Sequence, residues 1–287
     1  MDCPRCSAPA EDDAIDCPSC GIVFAKWRPK PPRPRPAPAP PQLLGIPRAG
    51  WKAAGLGLAL ALTLTWFPFL SFILSPLTTM VHEIGHTAVL WLFGYPAIPA
   101  FDFANGGGVT MSDLERVPSV VGAWVMGLVV LLWWQRERKG VFALLVGAAI
   151  LYALAYDTTR ETLAITLGGH GGEIAFGALF LYRGLTGWGC KIEAERPIYA
   201  FLAFMILFSG VRLAISLQGN TIERYWYLQG KGGIDHDLVT GAQILSMKLE
   251  SLARLMMLAE VLAIPAAFWA AARRKAIGAV SEDEEEV

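Results

Sequence analysis

The sequence predicts an all-α polytopic membrane protein of about six to seven transmembrane helices, with a small membrane-associated β-hairpin and a separate cysteine-rich segment at the N-terminus. The chain of 287 residues is 54% apolar, has a mean hydropathy of +0.43 and carries only 17% charged residues. An ordinary soluble domain carries roughly 25% charged residues, so a water-soluble enzyme is disfavoured. The net charge is −1, and the charges are bunched at the two ends and in short clusters, so nucleic acid is not the expected partner.

The first 27 residues contain two Cys-x-x-Cys pairs separated by ten residues. Four thiolates in two tight turns suit a tetrahedral zinc ion, which would stabilise a segment too short to build a core of its own. Disulfides are the alternative, but a reducing compartment favours metal. We therefore expect residues 1–27 to form a zinc ribbon with one structural zinc ion, held by Cys3, Cys6, Cys17 and Cys20.

Two polar segments flank the apolar part of the chain. Residues 28–50 combine proline with basic residues, which favours a polyproline II linker near anionic lipid headgroups. Residues 276–287 form an acidic tail that we expect to be disordered. Because basic residues are densest before the first apolar stretch, the ribbon is expected in the cytoplasm, and residues 51–275 form the multi-span domain in a bacterial inner (cell) membrane.

Seven apolar stretches approach the roughly 20 residues that a helix needs to cross a bilayer. The second and the fifth stretch contain histidine and glutamate, which are costly at lipid depth unless function retains them. Seven strict crossings would place the basic clusters 136–139 and 273–275 outside the cell, which indicates that at least one stretch is re-entrant or miscounted. The stretches are residues 53–75, 76–95, 117–134, 140–156, 162–182, 197–217 and 252–272.

The chemistry of the chain is concentrated in the motif His82-Glu83-Ile84-Gly85-His86. On a helix, residues four apart share a face, so both imidazoles can bind one zinc ion while Glu83 reaches a water molecule on the metal. Zinc lowers the pKa of that water to about 7, and the carboxylate can then take its proton. The motif predicts hydrolysis of peptide bonds with Glu83 as the catalytic base. Its alternative is a set of buried polar groups that hydrogen-bond neighbouring helices.

A catalytic zinc ion usually has three protein ligands, and the sequence offers three places for the third. The favoured place is the glycine-rich segment around His170 and Glu173, where either residue can be the ligand and the other its neighbour; a glycine-rich packing seam is the alternative. Asp157 is less favoured, because it suits a helix cap or a membrane interface equally well. His236 lies between two aspartates, but its polar loop favours a solvated turn.

These residues resemble the site-2 proteases, which are membrane-embedded zinc metalloproteases that cut within or beside transmembrane segments. The resemblance covers residues 77–111 closely and the remainder only in hydropathy, and the compact branch of the family is the nearest comparison. It implies a buried zinc ion held by His82 and His86, Glu83 as general base, and a transmembrane protein as substrate. Family members take their third ligand from an Asp-Gly pair in a later span, whereas no aspartate here is followed by glycine.

A hairpin is predicted in the polar loop 96–116, with strands at residues 101–104 and 109–111, because Asn-Gly provides the positive φ of a tight turn. An exposed strand edge there can capture an unwound substrate segment by strand addition. The alternative is a loop that shields the site from lipid. The residues predicted to contact substrate are Asn105, Gly106, Gly107 and Gly108.

Two other functions stay open at this point. One is a non-catalytic membrane protein that binds zinc for transport or as a scaffold, and the other is a membrane protease whose third zinc ligand is Glu173. In all cases the expected cofactor is Zn²⁺, with one ion in the membrane and one in the ribbon. The expected partners are a transmembrane protein substrate, the lipid bilayer and a protein that contacts the ribbon.

Overall fold

The computed structural model describes residues 1–27, 42–102, 107–113, 115–230 and 235–278. The chain divides into two compact units, Met1–Pro40 and Pro41–Val287. Residues 28–41 of the predicted linker and residues 279–287 of the predicted acidic tail lie outside the described residues, as do Asn105 and Gly106 of the predicted turn.

The N-terminal unit repeats one backbone turn after each cysteine pair. The amide of Ser7 donates to the carbonyl of Cys3 at 2.9 Å, and the amide of Gly21 donates to the carbonyl of Cys17 at 2.8 Å. Ser7 and Gly21 both adopt left-handed conformations, with φ of 60° and 68°. A short 3-10 turn follows at Phe24–Lys26. The two knuckles predicted from the cysteine spacing thus have the same local conformation.

The second unit is mostly helical, as the sequence predicts. Its helices are α1 (Arg48–Trp66), α2 (Pro68–Leu92), α3 (Pro118–Trp134), α4 (Lys139–Ala155), α5 (Thr159–Thr166), α6 (Gly168–Thr186), α7 (Glu195–Gly219), α8 (Thr221–Leu228), α9 (Asp237–Ile244) and α10 (Leu249–Gly278). Its strands are β1 (Gln42–Leu43), β2 (Ile46–Pro47), β3 (Ala97–Asp102) and β4 (Gly107–Ser112), which form the antiparallel pairs β1–β2 and β3–β4.

The β3–β4 hairpin confirms the small antiparallel sheet expected in this loop. Its backbone pairing is longer than predicted, because it runs from Ala97 opposite Ser112 to Asp102 opposite Gly107. The first strand therefore begins before residue 101, and the second begins at Gly107. Gly107 and Gly108, which were predicted to lie in the turn, belong to β4.

The predicted count of six to seven spans is not confirmed. Among the described residues, two segments, Glu195–Gly219 and Leu249–Arg274, are long and apolar enough to cross a membrane, and the number rises to four if two bent helix pairs each form one span. One bend, of 116°, separates α1 from α2. It occurs because Pro68 forces the preceding Phe67 into an extended conformation, which interrupts the apolar stretch 53–75.

The other bend, of 113°, separates α4 from α5. A further break at Leu167 divides the predicted stretch 162–182 into α5 and α6. Helices α3 and α4 contain no residue that is buried within the described structure. Trp133, Trp134 and Leu144 are 67–73% exposed, and a contiguous apolar surface of this kind is typical of contact with lipid. These features support a membrane protein.

Two apolar clusters position the elements of the site. The larger one joins α1, α6, α7 and α10 through residues such as Ala61, Leu181 and Phe204. The second joins α9 to α7 and α10, because Leu238 packs with Leu217 and Leu252. This second cluster fixes the N-terminal end of α9, which begins at Asp237.

Candidate metal centre

The candidate site lies where α2 crosses α6 at backbone contact. A Cβ atom added to Gly85 would lie 2.9 Å from the Cα of Gly172 and 3.0 Å from the carbonyl oxygen of Gly169. A Cβ atom added to Gly172 would lie 2.6 Å from the Cα of Gly85. Only residues without side chains allow the backbones of α2 and α6 to lie this close. Gly85 in the His-Glu-Ile-Gly-His motif and the glycines of α6 therefore both permit the crossing.

Three donor atoms converge beside this crossing. The Nε2 atoms of His82 and His86 lie 3.1 Å apart, and Oδ2 of Asp237 lies 2.8 Å from the first and 3.0 Å from the second. A tetrahedral zinc ion with bonds of about 2.0–2.1 Å would separate neighbouring ligand atoms by roughly 3.4 Å. The triangle is close to that size, and two imidazoles with one carboxylate make a donor set suited to zinc that keeps a fourth position for water.

The second nitrogen of each imidazole also has a partner. Nδ1 of His86 lies 2.8 Å from the carbonyl oxygen of Ile165 in α5, and Nδ1 of His82 lies 3.4 Å from Oε1 of Glu173. When Nδ1 donates to these oxygens, the lone pair of each Nε2 is free to bind a metal ion beside Asp237. A proton on Nε2 is instead donated to Asp237. Histidines that bind metal usually have such a partner, which fixes both the tautomer and the orientation of the ring.

His170 and Glu173, the favoured candidates for the third ligand, lie on the other side of His82. Nδ1 of His170 is 2.8 Å from Oε2 of Glu173, and the two residues are 5% and 7% exposed. Ligand atoms of His82, His170 and Glu173 lie within 4.8 Å of one another, as do those of His82, His86 and Asp237. The described structure thus contains two donor groups that share His82.

Asp157, the less favoured candidate, belongs to neither group. Its side chain is 82% exposed, and Oδ1 lies 3.6 Å from Nη2 of Arg116. The main-chain amide of Asp157 donates to Glu161, which is buried and ion-paired with Arg116. Asp157 is therefore part of the bend between α4 and α5 rather than of the site.

Asp237 is the residue whose position the sequence did not indicate. The structure places it at the start of α9, with the carboxylate against both histidines. Burial raises the pKa of Asp237, but hydrogen bonds with His82 and His86 outweigh burial and hold this pKa well below its usual range. His236 belongs to neither donor group, and its ring stacks on Tyr227 at 4.2 Å. The available signals were the two aspartates that flank His236 and the apolar pair Leu238-Val239, which ties Asp237 to the core.

The side chain of Glu83 lies against the hairpin. Glu83 is 7% exposed, and its Oε2 accepts a hydrogen bond of 2.7 Å from the hydroxyl of Thr110 in β4. A Cβ atom added to Gly108 would lie 2.5 Å from Cγ of Glu83, so no side chain fits there. Gly108 therefore makes room for the carboxylate. Among the residues predicted to bind substrate, Gly107 and Gly108 lie on the strand that packs on Glu83.

A cleft of about 670 Å³ brings both donor groups and Glu83 together. Strand β4, α2, α6 and the start of α9 provide the groups named above, and residues of α5, α7 and α8 also line the cleft. The lining includes His82, Glu83, His86, Gly107, Gly108, Thr110, His170, Glu173 and Asp237. A cleft of this size can admit water and an extended peptide segment to the histidines.

The cysteines of the N-terminal unit form a separate group of four. Sγ of Cys3 lies 3.7 Å from Sγ of Cys20, and Sγ of Cys6 lies 3.6 Å from Sγ of Cys17. Zinc–sulfur bonds of about 2.3 Å would separate tetrahedral ligands by roughly 3.8 Å. Burial raises the pKa of Cys3, but backbone hydrogen bonds from Arg5 and Cys6 outweigh it and lower this pKa to about 6. The thiols are unbridged, so this unit fits a metal ion.

Comparisons of the chain with protein-family models, curated proteins and solved structures returned no match. The resemblance to the site-2 proteases therefore stays a prediction. The function is argued below from the geometry and chemistry of the cleft.

Gly169→Ala is expected to lose the metal of the cleft while keeping the fold. A Cβ atom at Gly169 would lie 2.5 Å from Cε1 and 2.6 Å from Cδ2 of His82, so the ring must leave its position. Gly171→Ala is the matched control, because a Cβ atom at this neighbouring position meets nothing within 4 Å. Alanine should even stabilise the helix there by about 1 kcal/mol. Zinc content and thermal unfolding of the two variants test this expectation, which fails if both retain equal zinc.

Proposed function

We propose that this protein is an intramembrane zinc metalloprotease that hydrolyses peptide bonds in or beside transmembrane segments of other membrane proteins. The observation that carries the proposal is the triangle of His82 Nε2, His86 Nε2 and Asp237 Oδ2, with sides of 2.8–3.1 Å, in one cleft with Glu83. Structural zinc sites usually have four protein ligands, whereas a site with three keeps a position for water. Asp237 takes the place of the third ligand in this proposal.

The proposed mechanism assigns a separate role to each group of the cleft. Zinc bound by the three ligands would lower the pKa of a water molecule to about 7 and polarise a peptide carbonyl. Glu83 is the general base: its carboxylate accepts the proton of the attacking water and then delivers it to the leaving amide nitrogen. Thr110 orients that carboxylate, and Glu173 and Ile165 hold the protons on Nδ1 of the two histidines.

The hairpin provides a surface for an unwound substrate. A transmembrane helix satisfies its peptide groups internally, so a segment must unwind before a peptide bond can be attacked. In the described residues β4 pairs with β3 alone, and β4 also contacts Glu83. We propose that the substrate adds as a strand at this edge, which places its backbone beside the general base.

The location and the zinc ribbon complete the proposal. The two to four helices of spanning length support an integral membrane protein. A bacterial cell membrane, with the ribbon in the cytoplasm, is proposed from the basic residues that precede the first apolar stretch. The ribbon is proposed to bind one zinc ion and to contact a partner protein, because it forms a unit of its own.

Removal of metal tests the proposal. Purified protein in detergent micelles is expected to cleave single-span membrane proteins, to lose this activity with a zinc chelator, and to regain it with added Zn²⁺. Because a chelator also empties the ribbon, the same experiment is performed with Cys3→Ser. That variant should carry one zinc ion fewer and still show chelator-sensitive cleavage. Zinc transport into vesicles without any proteolysis would favour the transport alternative instead.

A further inference from the structure

A second cavity, of about 620 Å³, lies between α2 and α7 and adjoins the metal cleft. Thr78 and Leu213 line both cavities. Thr78 precedes His82 by four residues, which is about 6 Å of helix rise. A peptide that occupies the cleft can therefore extend directly into this cavity, which we call the α2–α7 groove.

Two rows of polar side chains face the α2–α7 groove from helices that are mostly apolar. Within each row the residues are three or four apart, so each row occupies one helical face, and the row on α2 shares its face with His82. Polar side chains at membrane depth are typically directed towards protein or a hydrated cavity rather than lipid. The rows are Ser71, Ser75 and Thr78 on α2, and Ser209, Arg212 and Ser216 on α7.

The hydroxyl groups in these rows are arranged as hydrogen-bond acceptors. Ser75, Thr78 and Ser209 each donate to the carbonyl three residues earlier in their own helix, at 2.8, 2.9 and 2.8 Å. Their protons are thereby used, and their oxygen lone pairs remain for donors in the groove. An unwound peptide has N–H donors, whereas a lipid acyl chain has none. This arrangement favours a peptide as the occupant.

Arg212 is the charged residue of the row on α7. It lies seven residues before the end of α7, about 10 Å of rise inside this candidate span. Among the described residues, the guanidinium of Arg212 makes no ion pair or hydrogen bond. Two other arginines of this domain do have side-chain partners: Arg224 pairs with Glu250, and Arg254 donates to Gln218. A guanidinium at this depth is costly without an anionic partner.

We propose that Arg212 binds a carboxylate on the substrate peptide and so makes the α2–α7 groove a specificity subsite for one acidic residue near the cleaved bond. This inference rests on the proposed peptidase function. The rise of about 6 Å from His82 to Thr78, where the groove begins, corresponds to about two extended residues of about 3.3 Å each. The acidic residue is therefore expected at least two positions from the cleaved bond. Glu223 also lines the groove and disfavours a second carboxylate there, so a single acidic residue is expected rather than an acidic run.

Binding of model peptides to the Glu83→Gln protein tests the subsite without requiring hydrolysis. The probe is a fluorescent, blocked 20-residue alanine–leucine peptide that carries one Glu at its centre, compared with the same peptide carrying Gln. The zinc-loaded full-length protein in uncharged micelles should bind the Glu peptide about tenfold more tightly, because the hydrogen bond to guanidinium is charge-assisted. Arg212→Gln should abolish this preference, and Arg212→Glu should transfer it to a peptide carrying Lys. Arg254→Gln, outside the groove, should retain it.

Zinc content of two ions per chain shows that each variant is folded. Equal binding of the Glu and Gln peptides, or a preference that survives Arg212→Gln, would overturn the inference. So would retention of phosphatidylglycerol that depends on Arg212 without any peptide preference, which would identify a lipid phosphate as the anion. If the zinc-loaded wild type cleaves no peptide but the protein prefers the Glu peptide, the peptidase function is refuted and the site for an acidic peptide stands. If the wild type cleaves peptides but does not prefer the Glu peptide, only the subsite is refuted.

Discussion

Glu83→Gln is expected to abolish peptide hydrolysis while the protein still binds two zinc ions per chain. Glutamine has nearly the same size as glutamate, and its carbonyl oxygen can accept the hydrogen bond that Thr110 now donates to Oε2. The amide cannot take a proton from water, and loss of a general base lowers hydrolysis by about 10²–10⁴-fold. Cleavage of a membrane-protein substrate and zinc content, measured on the same preparation, check both halves of this expectation.

Glu260→Gln is the matched control for this variant. Glu260 is 1% exposed, lies in α10 and does not line the cleft. It therefore reports the effect of removing a buried carboxyl from the membrane domain without removing the proposed base, and its hydrolysis should equal that of the wild type. Full hydrolysis by Glu83→Gln would place the base elsewhere. Loss of zinc from Glu83→Gln would instead make Glu83 part of the metal site or its support.

The parts of the site that the sequence predicts are those set by local geometry. His82 and His86 are brought together by helical periodicity alone, and the four cysteines by two repeated turns. Asp237 is different, because 155 residues separate it from His82. Its position depends on Leu238 packing against Leu217 and Leu252, and no periodic pattern in the chain encodes that contact.

The ends of the membrane helices could likewise not be predicted from a local sequence pattern. Residues 53–75 contain no charged residue, and hydropathy averages over such a window. The break at Phe67 comes from a steric clash that the following proline imposes on one residue. In the hairpin, Asn-Gly signals the turn, but the reason for Gly108 is the carboxylate of Glu83 on another element. A glycine therefore marks a close approach without revealing which group approaches.

Asp237→Asn is expected to remove the zinc ion of the membrane site and, with it, all cleavage. The neutral amide is a much weaker zinc ligand than the carboxylate, and its loss of charge leaves the ion with two imidazoles alone. The measurement is zinc content in a Cys3→Ser background, where the ribbon does not contribute, so the expected change is from one ion per chain to none. A cleavage assay on the same samples should show no product.

Two further variants decide between the donor groups that share His82. If Asp237 is the third ligand, Glu173→Gln keeps the site but weakens zinc binding by about 10–100-fold, because Glu173 then only orients the ring through Nδ1. Asp157→Asn should bind zinc as the wild type does, since its carboxylate is 82% exposed beside Arg116. The opposite pattern, with full zinc in Asp237→Asn and none in Glu173→Gln, would transfer the metal to His82, His170 and Glu173. His86 would then lie outside the metal site, and the α2 motif would hold zinc through one histidine only.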